Sequence, residues 1–199
     1  MKKIVHVCMV IILCIFLSGC SEKLSQQRKL TPIVLHEQDQ VMNVVYEELG
    51  NDSIIFEYEF NMPLSYIVCD VYKLEDGNWR QYLSSSIYEK NKKGIVAISP
   101  HDLRKNLNVA TGKEKNLAGV YRLSSDDDKM TTYQVMKTMI IEEEVAISNN
   151  RKIPIIAQYF TNDSDAMLLS PKEIYEHPQE LSTFCGEIYV VTVTFMKDK

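Results

Sequence analysis

Few of the residues from which enzyme signatures are built are present. Seven glycines in 199 residues leave little material for loops that cradle phosphates. Beyond the first twenty residues the histidines are His36, His101 and His177. They are far apart, with neither i, i+4 spacing nor the H-E-x-x-H run of a zinc site. No G-x-S-x-G turn presents a serine nucleophile, and Ser84-Ser85-Ser86 has neither a base nor an oxyanion glycine beside it. No C-x-x-C pair suggests thiol–disulfide exchange. The net charge of −5 is not that of a nucleic-acid binder, which shows a basic face. It also argues against membrane binding through a polybasic patch. Hydrophobic residues at 45% and charged residues at 25% are those of an ordinary globular chain.

What is present begins with a leader. Met1-Lys2-Lys3 is basic, and the stretch from Ile4 to Leu17 is apolar except for His6. Fourteen helical residues span about 21 Å, against about 30 Å for a bilayer core. That suits a signal-peptide core better than a transmembrane anchor. The run ends at Leu17-Ser18-Gly19-Cys20 and the chain turns polar at once. This ending resembles the lipobox of bacterial lipoproteins. The resemblance covers the leader only and implies a specific chemistry. The thiol of Cys20 would take a diacylglycerol, the leader would be cut before it, and the new amino terminus would be open to acylation. Each buried methylene contributes about 0.8 kcal/mol, and two chains give stable anchoring where one does not. The implied location is extracytoplasmic, on the membrane, with the bilayer as one partner. Cys8 and Cys14 would leave with the leader, and the loss of Lys2 and Lys3 would make the mature chain still more acidic.

The expected organisation is a leader over residues 1–19, a lipidated tether over 20–38 and one domain over 39–199. The tether reading rests on the polar, aperiodic run Ser21-Glu22-Lys23-Leu24-Ser25-Gln26-Gln27-Arg28-Lys29. In the domain several segments alternate apolar and polar residues, the mark of half-buried strands. Ile54, Phe56, Tyr58 and Phe60 share one face, with Glu57 and Glu59 opposite. Tyr189, Val191, Val193 and Phe195 form another such row, with Thr192 and Thr194 opposite. A long run from Tyr133 to Ile147 has the same period, and residues 152–160 and 94–99 add two further candidates. Asp76-Gly77 between two β-rich runs signals a hairpin. A two-residue turn would set Lys73 against Arg80, so its register stays open. Residues 41–49 fit a helical stripe or a strand. The strand is preferred for Val44-Val45-Tyr46, with Gly50-Asn51-Asp52 as a hairpin turn. Short helices are expected at Ser99-Pro100-His101-Asp102 and at Ser170-Pro171-Lys172-Glu173, the latter a capping box ended by Pro178. The fold class is mainly β: an antiparallel Ig-like β-sandwich of seven or eight strands with two short helices. The layout resembles small extracytoplasmic β-sandwich lipoproteins.

The candidate functional residues are few. His101-Asp102 reads better as the first turn of a surface helix than as an acid–base pair. Asp126-Asp127-Asp128 and Glu142-Glu143-Glu144 lack the glycine-turn pattern of a calcium loop, so no metal and no cofactor is expected. Cys69 and Cys185 share the phase of inward-facing neighbours. Outside the cytoplasm they are candidates for a disulfide, with two buried free thiols as the preferred alternative. Tyr72, Trp79, Tyr82 and Tyr88 cluster along one hairpin, either as packing or as a row of rings able to stack on a sugar or grip a protein. The expected function is a non-enzymatic, membrane-anchored binding module for a protein or envelope component. Small-ligand or peptide capture, as in an immunity or scavenging lipoprotein, is the alternative. A hydrolase with dispersed residues ranks behind both.

Overall fold

The computed structural model describes residues 28–33, 40–60, 64–113, 116–125, 131–166, 168–181 and 183–197. Cys20, the lipobox, the first part of the tether and Asp126-Asp127-Asp128 lie outside the described residues. The elements in chain order are β1 (Lys29–Ile33), α1 (Gln40–Leu49), β2 (Ile54–Glu59), β3 (Tyr66–Glu75), β4 (Asn78–Tyr88), β5 (Lys93–Ser99), β6 (Asn106–Lys113) and β7 (Asn116–Ser124). They are followed by β8 (Val135–Ile140), β9 (Val145–Ala146), β10 (Lys152–Thr161), α2 (Pro171–Glu176), a 3-10 turn (Pro178–Leu181) and β11 (Gly186–Met196). Among the described residues no helix is long and apolar enough to cross a membrane.

The strands form two antiparallel sheets. The first has the order β7-β6-β5-β2-β1-β9 and the second β4-β3-β11-β10-β8. The period-two rows explain why the sheets pack face to face. Phe56, Tyr58, Val96, Ile98, Leu107 and Val109 from the first sheet meet Ile67, Cys69, Val71, Val191, Val193, Phe195 and Phe160 from the second in one buried cluster. Tyr58 and Phe195 touch across it, with centroids 5.4 Å apart. The antiparallel sandwich expected from the alternation is therefore present, as are two short helices.

The hairpin at Asp76-Gly77 is the tight one. Both turn residues have positive φ, 51° and 73°, as a type I′ turn requires. Lys73 does face Arg80 in the register. The repulsion is relieved because Lys73 Nζ turns to Glu187 Oε1 at 3.0 Å and Arg80 Nε to Glu75 Oε2 at 3.1 Å. At Ser170 the capping box forms as read, with Pro171 opening α2.

Four expectations are corrected, and the choice left open at the two cysteines is decided. Residues 41–49 are helix, not strand: Val45 and Leu49 are buried on the first sheet's outer face. Gly50, at φ 105°, donates its N–H to the Tyr46 carbonyl at 3.0 Å and ends the helix. The modest β preference of two valines yields to burial of an amphipathic stripe. The expected helix at Ser99 is a turn over residues 101–105. Its intended cap belongs to β5, and the Ser99 hydroxyl donates to Asp52 at 2.9 Å. The tether is shorter than read, since Lys29–Ile33 is a strand between β2 and β9. The run from Tyr133 to Ile147 is not one strand: it leaves the second sheet after Ile140 and joins the first at Val145. No disulfide links Cys69 and Cys185. Both are free, as preferred, but only Cys69 is buried, and Cys185 is exposed. Cys69 faces Val193 in the register, whereas Cys185 precedes the first residue of β11. That separation is about 26 Å along a strand, against the 7 Å limit for a bridge.

Candidate binding surface on the second sheet

The outer face of the second sheet is set by strand phase. Inward Cys69 and Val71 place Asp70 and Tyr72 outward on β3, and inward Val191 and Val193 place Thr192 and Thr194 outward on β11. The registers then align rows across the sheet. Ser86, Val68, Thr194 and Lys152 form one row, and Ser84, Asp70, Thr192 and Pro154 the next. Gln81, Tyr72, Val190 and Ala157 follow.

Half of this face is roofed. α2 and the chain around it lay Ile174, Leu168, Leu169, Tyr175, Leu181 and Phe184 over Ala157, Tyr159, Ile188 and Val190. The roof ends in an aromatic wall. Trp79 stacks on Tyr175, with centroids 5.7 Å apart and planes at 20°, and its Nε1–H donates to the Tyr175 carbonyl at 3.1 Å. Tyr72 meets Tyr175 edge-on at 5.9 Å.

The other half is a polar shelf. Asp70 is only 6% exposed. One of its oxygens accepts from Ser84 Oγ at 2.6 Å and the other from the Tyr72 hydroxyl at 3.2 Å. Lys152 reaches across, donating to the Tyr72 oxygen with its ammonium 4.5 Å from the ring centroid. Burial and the Asp70 charge push the Tyr72 hydroxyl up to about 12, so it stays protonated and continues to donate. The hydroxyls of Thr192 and Thr194 are buried without a hydrogen-bond partner. At the far side stand Tyr66 and Tyr88, 5.7 Å apart and 41% and 56% exposed. Tyr66 and Tyr72 are six residues apart on β3, about 20 Å. The shelf is thus a hydroxyl-lined strip with one buried carboxylate and one cation, closed at both ends by rings.

Three of the four aromatic candidates lie on this face: Tyr72 and Trp79 in the wall and Tyr88 at the far end. Tyr82 does not. A bulge opposite Val71 and Tyr72 lets it turn inward, where it meets Tyr189 edge-on at 5.4 Å and donates to the Arg104 carbonyl at 2.7 Å. Asp70, Lys152, Tyr66 and Tyr175 were not singled out in the sequence, and Thr192 and Thr194 were read only as the polar side of a strand. The legible signal among them was Asp70, a carboxylate between Cys69 and Val71 in an otherwise apolar strand.

The remaining candidates do not assemble at this face. Asp102 pairs with Arg104, not with His101. His101 Nδ1 lies 3.5 Å from Asp52, and Ser99 donates to the same carboxylate. Asp52 therefore stands between the serine and the histidine, and His101 does not receive the serine proton. Glu144 accepts from Lys29 at 2.9 Å and Thr31 at 3.3 Å. Among the described residues no group of three or more His, Cys, Asp or Glu side chains is placed to hold a metal. Burial pushes the Cys69 thiol up to about 12, which keeps it from forming a reactive thiolate at neutral pH. No protein-family model matches the chain, and searches of curated proteins and of solved structures find no significant match.

Proposed function

We propose that this chain is a lipoprotein, anchored on the extracytoplasmic side of a bacterial membrane through Cys20, whose sandwich is a binding module for an envelope component or protein. The observation that carries the reading is the lipobox-like ending Leu17-Ser18-Gly19-Cys20 after a short apolar core. The polar shelf supports it as the contact surface. Ser84, Ser86 and Lys152 are exposed along it, so their hydroxyls and ammonium are open to a ligand's polar groups. A second reading, capture of an extended peptide, is favoured by β4. This eleven-residue strand borders the shelf and, among the described residues, has no strand beyond it, so a peptide can add to it by backbone pairing.

Two measurements test the proposal. Mass spectrometry of the protein from its native host should find a chain that begins at Cys20 and carries lipid mass; an unmodified cysteine or an intact leader overturns the anchoring. In intact cells, a photo-crosslinker at Ser84 should trap one defined species, while the same probe at Glu57, on the first sheet's outer face, should not. Equal or no trapping at both sites overturns the shelf as the contact surface.

A further inference from the structure

We propose that the pole of the sandwich from which the tether departs is a membrane-facing surface that rests on anionic phospholipid headgroups. The inference deepens the lipoprotein reading by giving the domain an orientation. The first described residue, Arg28, lies at this pole: its carbonyl accepts from Ile147, and its guanidinium sits 5.0 Å from the Phe60 ring centroid. Seven residues, 21–27, separate it from Cys20, and the eight steps between the two span at most about 29 Å even fully extended. This pole is therefore held near the bilayer.

Its surface has the chemistry of an anionic interface. Lys90, Lys92, Lys93, Lys113, Arg151 and Lys197 are all exposed here, although they come from four separate stretches of chain. Several carboxylates around it are engaged, Glu59 with Lys93 at 2.8 Å, Glu144 with Lys29 at 2.9 Å and Glu176 with Arg151 at 3.9 Å, while Glu142 and Glu143 stand exposed between β8 and β9. Glu89 is buried and accepts from Asn91 at 2.8 and 2.7 Å. Lys90, Lys92 and Lys113 have no carboxylate partner among the described residues. Beside them stand Tyr66 and Tyr88, with the Lys90 ammonium 5.3 Å from the Tyr88 ring centroid. A tyrosine with a snorkelling lysine suits the headgroup layer, where one end of the ring is apolar and the other wet. The opposite pole exposes Asp52, Asp76, Asp163 and Asp165. A negatively charged leaflet thus attracts the lysine-bearing end more strongly than the other, where Arg80 and Lys105 stand among these acids.

The test uses the chain from residue 20 onward with Cys20→Ser. It contains every described element and carries no lipid. Vesicles of phosphatidylcholine alone, and with added phosphatidylglycerol, are sedimented with it at millimolar lipid. The protein should co-sediment with the anionic vesicles only, and high salt should release it. Lys90→Gln, Lys92→Gln and Lys113→Gln together should weaken partitioning by about two orders of magnitude, roughly fivefold per charge. Tyr88→Ser should weaken it further, and Arg80→Gln with Lys105→Gln at the opposite pole should not. Absence of binding, equal binding to neutral vesicles, equal loss in the opposite-pole variant, or binding to soluble polyphosphate but not to vesicles overturns the proposal. None of these outcomes depends on acylation of Cys20, which the mass measurement decides separately.

Discussion

The two sheets bury their inner faces together, but their outer faces differ in kind. On the first, α1 lays Val45 and Leu49 on Ile55, Ile95, Ala97 and Ala110, an apolar patch under an apolar cover. On the second, a comparable cover stops halfway, and beyond it lie Asp70, Thr192 and Thr194, buried but polar. The first arrangement is explained by stability alone, since apolar area leaves water on both sides of the contact. The second is not. Two partnerless hydroxyls oppose folding, so on this outer face packing alone does not account for the sequence.

The comparison can be broken most forcefully by removing the covers. Leu49→Ala on the first sheet and Ile174→Ala on the second should each cost about 2–5 kcal/mol, read by chemical denaturation. They should differ in one respect. Trp79 is the only tryptophan and it stacks on Tyr175, the neighbour of Ile174. Ile174→Ala should therefore change the native fluorescence spectrum, and Leu49→Ala should leave it unchanged. If both variants, or neither, shift the emission, the two covers are not the independent units described.

A second prediction concerns the joint between the sheets. The turn linking β5 to β6 is tied to the second sheet by Leu103 N–H donating to Gln158 Oε1 at 2.9 Å and by Arg104 lying 4.0 Å over the Phe160 ring. Asp102 holds that arginine at 3.0 and 2.9 Å. Burial alone would raise the Asp102 carboxyl, but the hydrogen bonds and charge of Arg104 outweigh it and hold the group below its ordinary value. The folded state therefore prefers the ionised form. Its contribution is complete above the unfolded value of about 3.9 and is lost as pH falls through the lower folded value. Asp102→Asn should destabilise the protein near neutrality by about 3 kcal/mol, because Arg104 is left without its partner. It should also flatten the loss of stability below about pH 4. A wild-type slope there that matches the variant's would show that Asp102 does not carry the joint.

The parts of this picture that were legible in the sequence are those with local causes. The alternation in β2 and β11, the glycine turn at Gly77 and the capping box at Ser170 depend on neighbours a few residues away. The parts that were not legible depend on distant partners. Lys29–Ile33 falls within the stretch read as a tether, and it contains Pro32. That proline pairs with Phe56 on one side, while the β9 pairing stops at Leu30, so the missing N–H costs no ladder bond. The aromatic wall needs Tyr175, 96 residues from Trp79. The basic pole escapes a reading of net charge because its lysines and arginine are scattered while the chain as a whole is acidic. Composition reports the sum of the charges, and only the fold reports where they gather.

The smallest effect decides the comparison of outer faces most directly. Thr192→Val keeps the shape and removes a buried hydroxyl that has no partner. Relieving such a group should stabilise the protein by about 1 kcal/mol, seen as a higher denaturation midpoint at unchanged slope. Thr111 supplies the control. Its hydroxyl is also buried and partnerless, but it shares the inward phase of Leu107 and Val109 on β6, between the sheets. Thr111→Val should stabilise by a similar amount and leave crosslinking from Ser84 untouched. Thr192→Val should stabilise and also reduce that crosslinking, because the hydroxyl it removes borders Asp70 in the same row. If both valines stabilise and neither changes capture, partnerless hydroxyls are a general feature of this sandwich and the shelf loses its distinction. If Thr192→Val destabilises, the hydroxyl has found a partner within the fold, and the second sheet's outer face is explained by stability as fully as the first.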